Sequence, residues 1–485
     1  MKMNNGLNFD NTYLDLNSKM VSGIEPKIVG NPELIVLNKK LANELELDID
    51  FLSSKKGNAL LSGMTNEFGP LFAQAYAGHQ YAHFTMLGDG RALMLGEHVT
   101  SDKKRVDLQL KGSGTTPYSR KGDGKATLYS MLREYLISES LHALNIPTTR
   151  SLAVIKTNEK IRRSQYEEGA ILTRVASSHI RVGTFEYAKA YGGTDLVKEL
   201  ADYTINRHYK ELANSNNKYQ EFLHQVIKRQ ASLIAKWQSV GFIHGVMNTD
   251  NMLISGETID YGPCAFMDAY DPQTVFSSID TQGRYAYQNQ PYIGSWNLAR
   301  FAETILELLS QENEEAVKIA NNELQKYGTY FHQYLLTNMS AKIGIKNPTE
   351  EDKLLIDELL SMMEKYEADY TNSFVSITKN AFEELSFYKT DEWDEWFKKW
   401  TRALGYRQLD IIERINLMKK SNPVIIPRNH IVEEALTLAA KQNDYSLYNI
   451  VLEKLQKPFD YLVKHEEKFT KFNENSREYV TYCGT

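Results

Sequence analysis

The period of the hydrophobic pattern changes once along this chain, and that change restricts the architecture more than any other feature of it. Residues 82–112 read as β-structure: "AHFTMLGDG", "RALMLGEHV" and "RVDLQLKG" are short β-prone runs separated by Gly-Asp-Gly and by a charged turn. A Gly-rich loop, "KGSGTTPYSRKGDGKA", leads into the amphipathic segment "TLYSMLREYLISESLHALN", a predicted helix that Pro147 stops. Two further strands follow, "SLAVIKT" and "GAILTRVA", and the sheet-bearing portion ends near Ala176. Beyond it the period becomes helical. "DLVKELADYTINRHYKELA" and "YQEFLHQVIKRQASLIAKWQSVG" each carry an apolar stripe, and from about Trp296 nearly everything reads as helix, including "EDKLLIDELLSMMEKYEADYTNSFVSITKNAFEEL". This order predicts an α+β fold: a mixed β-sheet N-lobe within residues 1–176, a helical C-lobe over 177–345 and a helical C-terminal extension over 346–485.

One non-helical stretch, "FIHGVMNTDNMLISGETIDYG", interrupts the helices. It resembles the active-site segment of protein kinases, which place a His-Arg-Asp turn before a metal-binding Asn and an Asp-Phe-Gly on the next strand. His244 and Gly245 open the turn, Asn251 takes the metal-binding position, and Asp260-Tyr261-Gly262 replaces Asp-Phe-Gly after the short strand "MLIS…TID". The catalytic aspartate of a kinase would be residue 246, which is a valine. Asn251 and Asp260 offer hard oxygen ligands, as magnesium on a nucleotide requires. Lys111 ends a predicted strand where kinases keep a phosphate-contacting lysine, and Glu134 on the following helix is its natural partner. Gly88-Asp89-Gly90 falls between two predicted strands, in the place of a nucleotide-covering hairpin, although a plain turn accounts for it as well. The loop 112–125 combines four glycines with Arg120, Lys121 and Lys125, and Arg174 and Arg181 bracket the lobe junction, where guanidinium forks suit an anion. Asp250 is the carboxylate available to replace the missing base, and its shifted position suits an acceptor that approaches the α-phosphate of a reversed nucleotide.

Composition excludes several other classes. A net charge of −6 argues against a nucleic-acid partner, whose protein footprint is basic. No apolar run reaches the ~18 residues of a membrane helix, and the N-terminus lacks a signal-peptide core, so a cytoplasmic protein is expected. Two cysteines, Cys264 and Cys483, cannot build a zinc cage or a disulfide framework. His79 and His83 stand four apart in "GHQYAH", but no third ligand follows, so both read as structural or surface residues.

The segments "LGDGRA", "LQLKGSGTTPYSRKGDGKA", "REYLISE", "ILTRVASSHIRVGTFEYA", "HGVMNTDNM", "DYGPCAFMDAYDP", "QGRYAYQNQP" and "NPVIIPRNHIVEEAL" resemble the selenoprotein O family of kinase-like protein nucleotidyltransferases, the bacterial YdiU group. The resemblance implies a protein-kinase-like two-lobed fold that binds ATP in a flipped orientation. It implies transfer of AMP, and in bacterial members also of UMP from UTP, to Ser, Thr or Tyr hydroxyls of protein substrates. It makes Asp250 the proton acceptor and Asn251 and Asp260 the Mg²⁺ or Mn²⁺ ligands. Gly88, Gly90, Arg91, Lys111, Asp123, Gly124, Arg174, Arg181 and Asp260 become nucleotide contacts, with Glu134 as the partner of Lys111. Family members carry a selenocysteine or cysteine motif near the C-terminus, some of them disulfide-bonded. Cys483, in "YCGT", matches that location, whereas Cys264 does not match the expected partner. A conventional phosphotransferase and a non-catalytic nucleotide-binding scaffold are the competing readings.

Overall fold

The computed structural model describes residues 5–406, 410–471 and 479–481. Its main sheet runs in the order Val21–Ile24, Leu71–Gln74, Ala92–Val99, Arg105–Lys111, Tyr166–Ala176, Arg150–Arg162, Glu33–Leu37, and the short strand Ala126–Thr127 pairs with Tyr166–Ala176. Every pairing is antiparallel. One face of the sheet is closed by short N-terminal helices, which bury Leu41, Leu45, Leu52 and Leu60 against Leu93, Leu108 and Leu110.

The other face carries the helix Leu128–Ala143, packed on strands Arg150–Arg162 and Tyr166–Ala176. The Thr127 hydroxyl accepts the Ser130 N–H and starts this helix. It ends just before Pro147, with Asn145 in the left-handed region. Its outer side does not meet solvent, because the helices Asn429–Gln442 and Ser446–Leu455 of the C-terminal part lie against it. Tyr448 donates to the Leu132 carbonyl at 3.0 Å. One hydrophobic cluster therefore joins Leu132 and Leu136 to Phe185, Ile234 and Phe301 of the helical region and to Ile431, Leu436 and Val451 near the C-terminus.

Two β-expectations are corrected. The strand His83–Met86 does not join the main sheet; it pairs with Ala77–Gln80 as a separate hairpin. Gly88-Asp89-Gly90 thus links two different sheets, and the neighbour of Ala92–Val99 is Leu71–Gln74, a run too short to stand out by its period. No regular strand precedes Asp260 either. Leu253 and Thr258 form isolated bridges to Arg181 and Thr148, and the nearby paired strands are Phe242–Ile243 and Ala265–Phe266.

Farther along, Arg428 is buried and uses its whole guanidinium. It donates to Asp268 at 2.8 Å, to Asp369 at 2.7 Å and to the Thr470 carbonyl at 3.0 Å. Residues 479–481 lie along 276–278, where the Thr481 N–H donates to the Phe276 carbonyl at 2.7 Å. Cys483 lies outside the described residues. Among the described residues no helix is long and apolar enough to cross a membrane.

Candidate active site

Strand Arg105–Lys111 places Asp107, Gln109 and Lys111 on one face, because side chains alternate along a strand. All three are buried, so each needs a partner. The Lys111 ammonium donates to Glu134 at 2.6 Å and to Asp260 at 2.5 Å. Arg174 lies opposite Gln109 on the neighbouring strand. It donates to Glu134 at 2.6 and 3.0 Å, to Asp260 at 2.7 Å and to Gln109 at 3.3 Å. Arg181, at the start of the helix Val182–His208, stacks on Tyr76 at 4.2 Å. It donates to the Asp250 carbonyl at 3.0 Å and stands 3.8 Å from the second oxygen of Asp260. Burial alone would raise the pKa of Asp260. Lys111, Arg174 and Arg181 outweigh it and hold this carboxyl well below the usual carboxylate range. Burial and the cations oppose each other in the same way at Glu134, whose pKa is also lowered, with Arg174 and Lys111 responsible.

The turn that carries Asp260 is under strain. Its φ of 66° lies in the left-handed region, which costs on the order of 1–3 kcal/mol for a residue bearing a Cβ. Tyr261 fixes the turn through its hydroxyl, which donates to the Thr258 carbonyl at 2.6 Å and meets Thr149 at 2.9 Å. Asn251 closes a single 3-10 turn, and its amide donates to the Val246 carbonyl at 3.0 Å. The side-chain carbonyl oxygen of Asn251 and Oδ2 of Asp260 remain as ligands for a cation. That donor set, one neutral oxygen and one anionic, fits Mg²⁺ or Mn²⁺, which would take its other ligands from phosphates and water. Among the described residues no cluster of three His, Cys, Asp or Glu could hold a metal by itself.

Val246 is buried in the kinase base position and contributes nothing polar. Asp250, four residues on, is 7% exposed, and its Oδ1 has no hydrogen-bond partner. Burial pushes its pKa up to about 6, against the lowering effect of Arg181. A carboxylate left without a full set of partners binds a proton more readily than one in water.

The remaining predicted contacts lie farther out. Gly88 has a φ of 99°, and a Cβ there would come within 2.4 Å of the Tyr118 ring. A Cβ on Gly90 would approach the Tyr118 carbonyl at 2.9 Å. The loop 112–125 is latched onto this turn by Thr116, which donates to the Asp89 carbonyl at 2.7 Å, and by Ser119, which donates to Gly90. The backbone carbonyl of Arg91 accepts the Gly112 N–H at 2.7 Å. Gly124 crosses so close to Gly114 that a Cβ would lie 2.1 Å from its carbonyl oxygen. Asp123 does not face the Lys111 cluster. It is paired with Arg163 at 2.8 Å and lines a separate cavity of about 180 Å³ with Gly112, Gly114, Lys125 and Glu159.

Sequence reasoning missed several residues here. Asp89 is buried, accepts the Gln74 N–H at 3.0 Å and a Gln109 amide hydrogen at 3.2 Å, and is pushed up to about 6 by burial. The alternation of Asp107, Gln109 and Lys111 in an otherwise apolar strand was the available signal. His79, read as structural or surface, is in hydrogen-bond contact with Glu186, a pairing that no local spacing announces. Cys264 is buried, and burial pushes its thiol up to about 12.

With this geometry in place, three comparisons bear on the chain. A family model described as "Protein adenylyltransferase SelO" matches residues 4–456. A "Protein nucleotidyltransferase YdiU" of Clostridium perfringens is 56% identical over 99% of this chain and 98% of that relative. Proteins of the same description from Brevibacillus brevis and Bacillus cereus are each 53% identical, over 99% of this chain and over 98% and 99% of their own lengths. A solved chain titled ROP2 from Toxoplasma gondii, a virulence factor with a protein-kinase fold and no enzymatic activity, covers 77% of this chain and 98% of its own. It is 11% identical with a TM-score of 0.25, a likeness that carries no argument. The match over nearly the whole length, at more than half identity, settles the family: this chain belongs to the SelO family of protein adenylyltransferases, and it is an enzyme of protein nucleotidyl transfer.

Proposed function

We propose that this chain transfers AMP from ATP, and UMP from UTP, to Ser, Thr or Tyr hydroxyls of proteins, with Asp250 as proton acceptor. The observation that carries the reading is the exchange within one loop: a buried valine stands at residue 246, and a buried carboxylate with an unpaired oxygen stands at residue 250. The acceptor oxygen attacks the α-phosphorus, the bond to the bridging oxygen breaks, pyrophosphate leaves, and the hydroxyl proton passes to Asp250. Asn251 and Asp260 would hold Mg²⁺ or Mn²⁺, which supplies charge neutralisation on the phosphates. Lys111, Arg174 and Arg181 form the cationic wall that accepts the triphosphate; Gly88, Gly90 and Arg91 complete the contacts beside it, Asp123 and Gly124 would meet the nucleotide from the loop 112–125 rather than from this wall, and Glu134 keeps Lys111 in place. A net charge of −6 and a free buried thiol suit a cytoplasmic enzyme whose partners are nucleotides and proteins rather than nucleic acid or membrane.

The test is paired labelling with ATP and metal. Label from the α-phosphate should remain on protein, and label from the γ-phosphate should not. Retention of the γ-label would establish a phosphotransferase, and retention of neither a nucleotide-binding scaffold.

A further inference from the structure

The hairpin 77–86 lies directly over the loop that carries Asp250. Its first strand runs along the loop, with the His79 N–H donating to the Thr249 hydroxyl at 2.7 Å and the Tyr81 N–H to Asn248 at 3.2 Å. Just ahead of the first of those bonds the backbone meets the proposed base. A Cβ on Gly78 would stand 2.6 Å from Oδ1 of Asp250, so a glycine is what permits the approach. Gly183, in the first turn of the helix Val182–His208, meets the hairpin from the other side. A Cβ there would stand 2.0 Å from the Ala77 carbonyl oxygen and 3.3 Å from the Asp250 Cα.

One side chain ties these pieces together. Glu186, one turn along the same helix, is 5% exposed. One of its oxygens accepts the Thr249 hydroxyl at 2.5 Å, and the other meets Nδ1 of His79. Thr249 thus donates to Glu186 while accepting from the His79 backbone, and the carboxylate spans hairpin and loop at once. The outer side of His79 is packed edge-on by Phe84 and Trp296, at 5.5 and 5.4 Å. None of these groups bonds to Lys111, Arg174 or Asp260; the loop meets the nucleotide wall through Arg181, whose guanidinium donates to the Asp250 carbonyl at 3.0 Å.

We infer that Glu186 is a positioning residue of the acceptor side, which clamps the hairpin 77–86 onto the Asp250 loop and keeps water off the base. The inference rests on Asp250 being the proton acceptor. Its chemical point is competition between two acceptors. Water that reached the same position would attack the α-phosphorus, break the bond to the bridging oxygen and release AMP and pyrophosphate, wasting the nucleotide. Oδ1 of Asp250 is out of solvent contact under the hairpin, which disfavours that route.

The test uses the full chain with α-labelled ATP and Mg²⁺, measuring label on protein and label released as AMP in the same reaction. Nucleotide affinity is measured by calorimetry. Glu186→Ala and Thr249→Val should each raise the ratio of released to transferred AMP by about tenfold or more, because both open the water-excluding clamp. Nucleotide Kd should stay within about twofold, since binding energy on the nucleotide side is untouched. Thr249→Ser, which restores the hydroxyl, should bring the ratio back toward wild type. A ratio unchanged in both deletion variants, or a loss of nucleotide affinity in step with transfer, would overturn the proposal. If Glu186→Ala does not fold, Glu186→Gln and Thr249→Val carry the same comparison. A wild-type chain that leaves no α-label on protein would instead overturn the functional reading beneath it.

Discussion

Removing the charge of Glu134 together with that of Arg174 should destabilise the fold by clearly less than the sum of the two separate losses. Within the buried set, Lys111 and Arg174 face Glu134 and Asp260, with Arg181 3.8 Å from the outer oxygen of Asp260, and Glu134 touches both Lys111 and Arg174 at 2.6 Å. With charge centres about 4 Å apart and an effective dielectric of about 20, each such pair is worth about 4 kcal/mol before desolvation. Glu134→Gln forfeits two of these pairs, roughly 8 kcal/mol, and recovers several kcal/mol of desolvation, for a net loss of about 3–5 kcal/mol. Arg174→Met alone leaves Glu134 short of a cation and should cost a similar amount. The double variant removes one charge of each sign and leaves neither partner stranded, so its cost should fall below the sum of the single costs by about 2–3 kcal/mol. Urea unfolding of the four proteins measures this directly, provided the m-values agree. Additive losses, or a Glu134→Gln cost under about 1 kcal/mol, would refute the claim that this network is a mutually compensated buried unit.

Asp250→Asn should lower transfer by about 10²–10⁴ with little change in nucleotide affinity, and Val246→Asp should not restore it; paired turnover and calorimetry decide both points. Chelation should abolish transfer, and Asp260→Asn should remove most metal-dependent nucleotide binding, which calorimetry with and without Mg²⁺ would reveal. Lys342 is buried over the Phe374 ring at 4.3 Å, forms no ion pair among the described residues, and is pushed down to about 7 by burial. Above that pH the folded chain holds this lysine neutral while the unfolded chain keeps it protonated to about pH 10, so the unfolded state binds more protons and stability rises with pH. From pH 7 to 9, wild-type stability should climb by about 2 kcal/mol relative to Lys342→Met, read from urea midpoints at the two pH values.

What could be read in advance followed local signals. The apolar stripe and the Pro147 stop marked the helix Leu128–Ala143, and alternation marked Arg105–Lys111. Motif spacing paired Lys111 with Glu134, and they stand 2.6 Å apart. The hairpin 77–86 and the strand Leu71–Gln74 were not legible as they are, because four-residue strands offer too few alternations to set their partners. The segment before Asp260 looked like a strand because its residues are apolar, yet it is buried by loop packing and held by single bridges. Glu186 reaches Thr249 from 63 positions away in the chain, and no pattern within one helix encodes that meeting.

The placement of Arg428 also sets a schedule for making the protein. Asp268, a few residues beyond the Asp260 turn, waits for a cation that lies 160 residues later in the chain. At a synthesis rate of about 5–20 residues per second, the carboxylate leaves the ribosome roughly 8–30 s before the guanidinium that neutralises it. The helices Asn429–Gln442 and Ser446–Leu455, which cover the Glu134 helix, arrive later still. A nascent chain therefore passes through an interval in which the Asp260 turn and Asp268 exist but the Arg428 guanidinium and the apolar cover of the Glu134 helix do not. The Asp268 carboxylate and the Glu134 helix meet these partners only once residues 428–455 have been made.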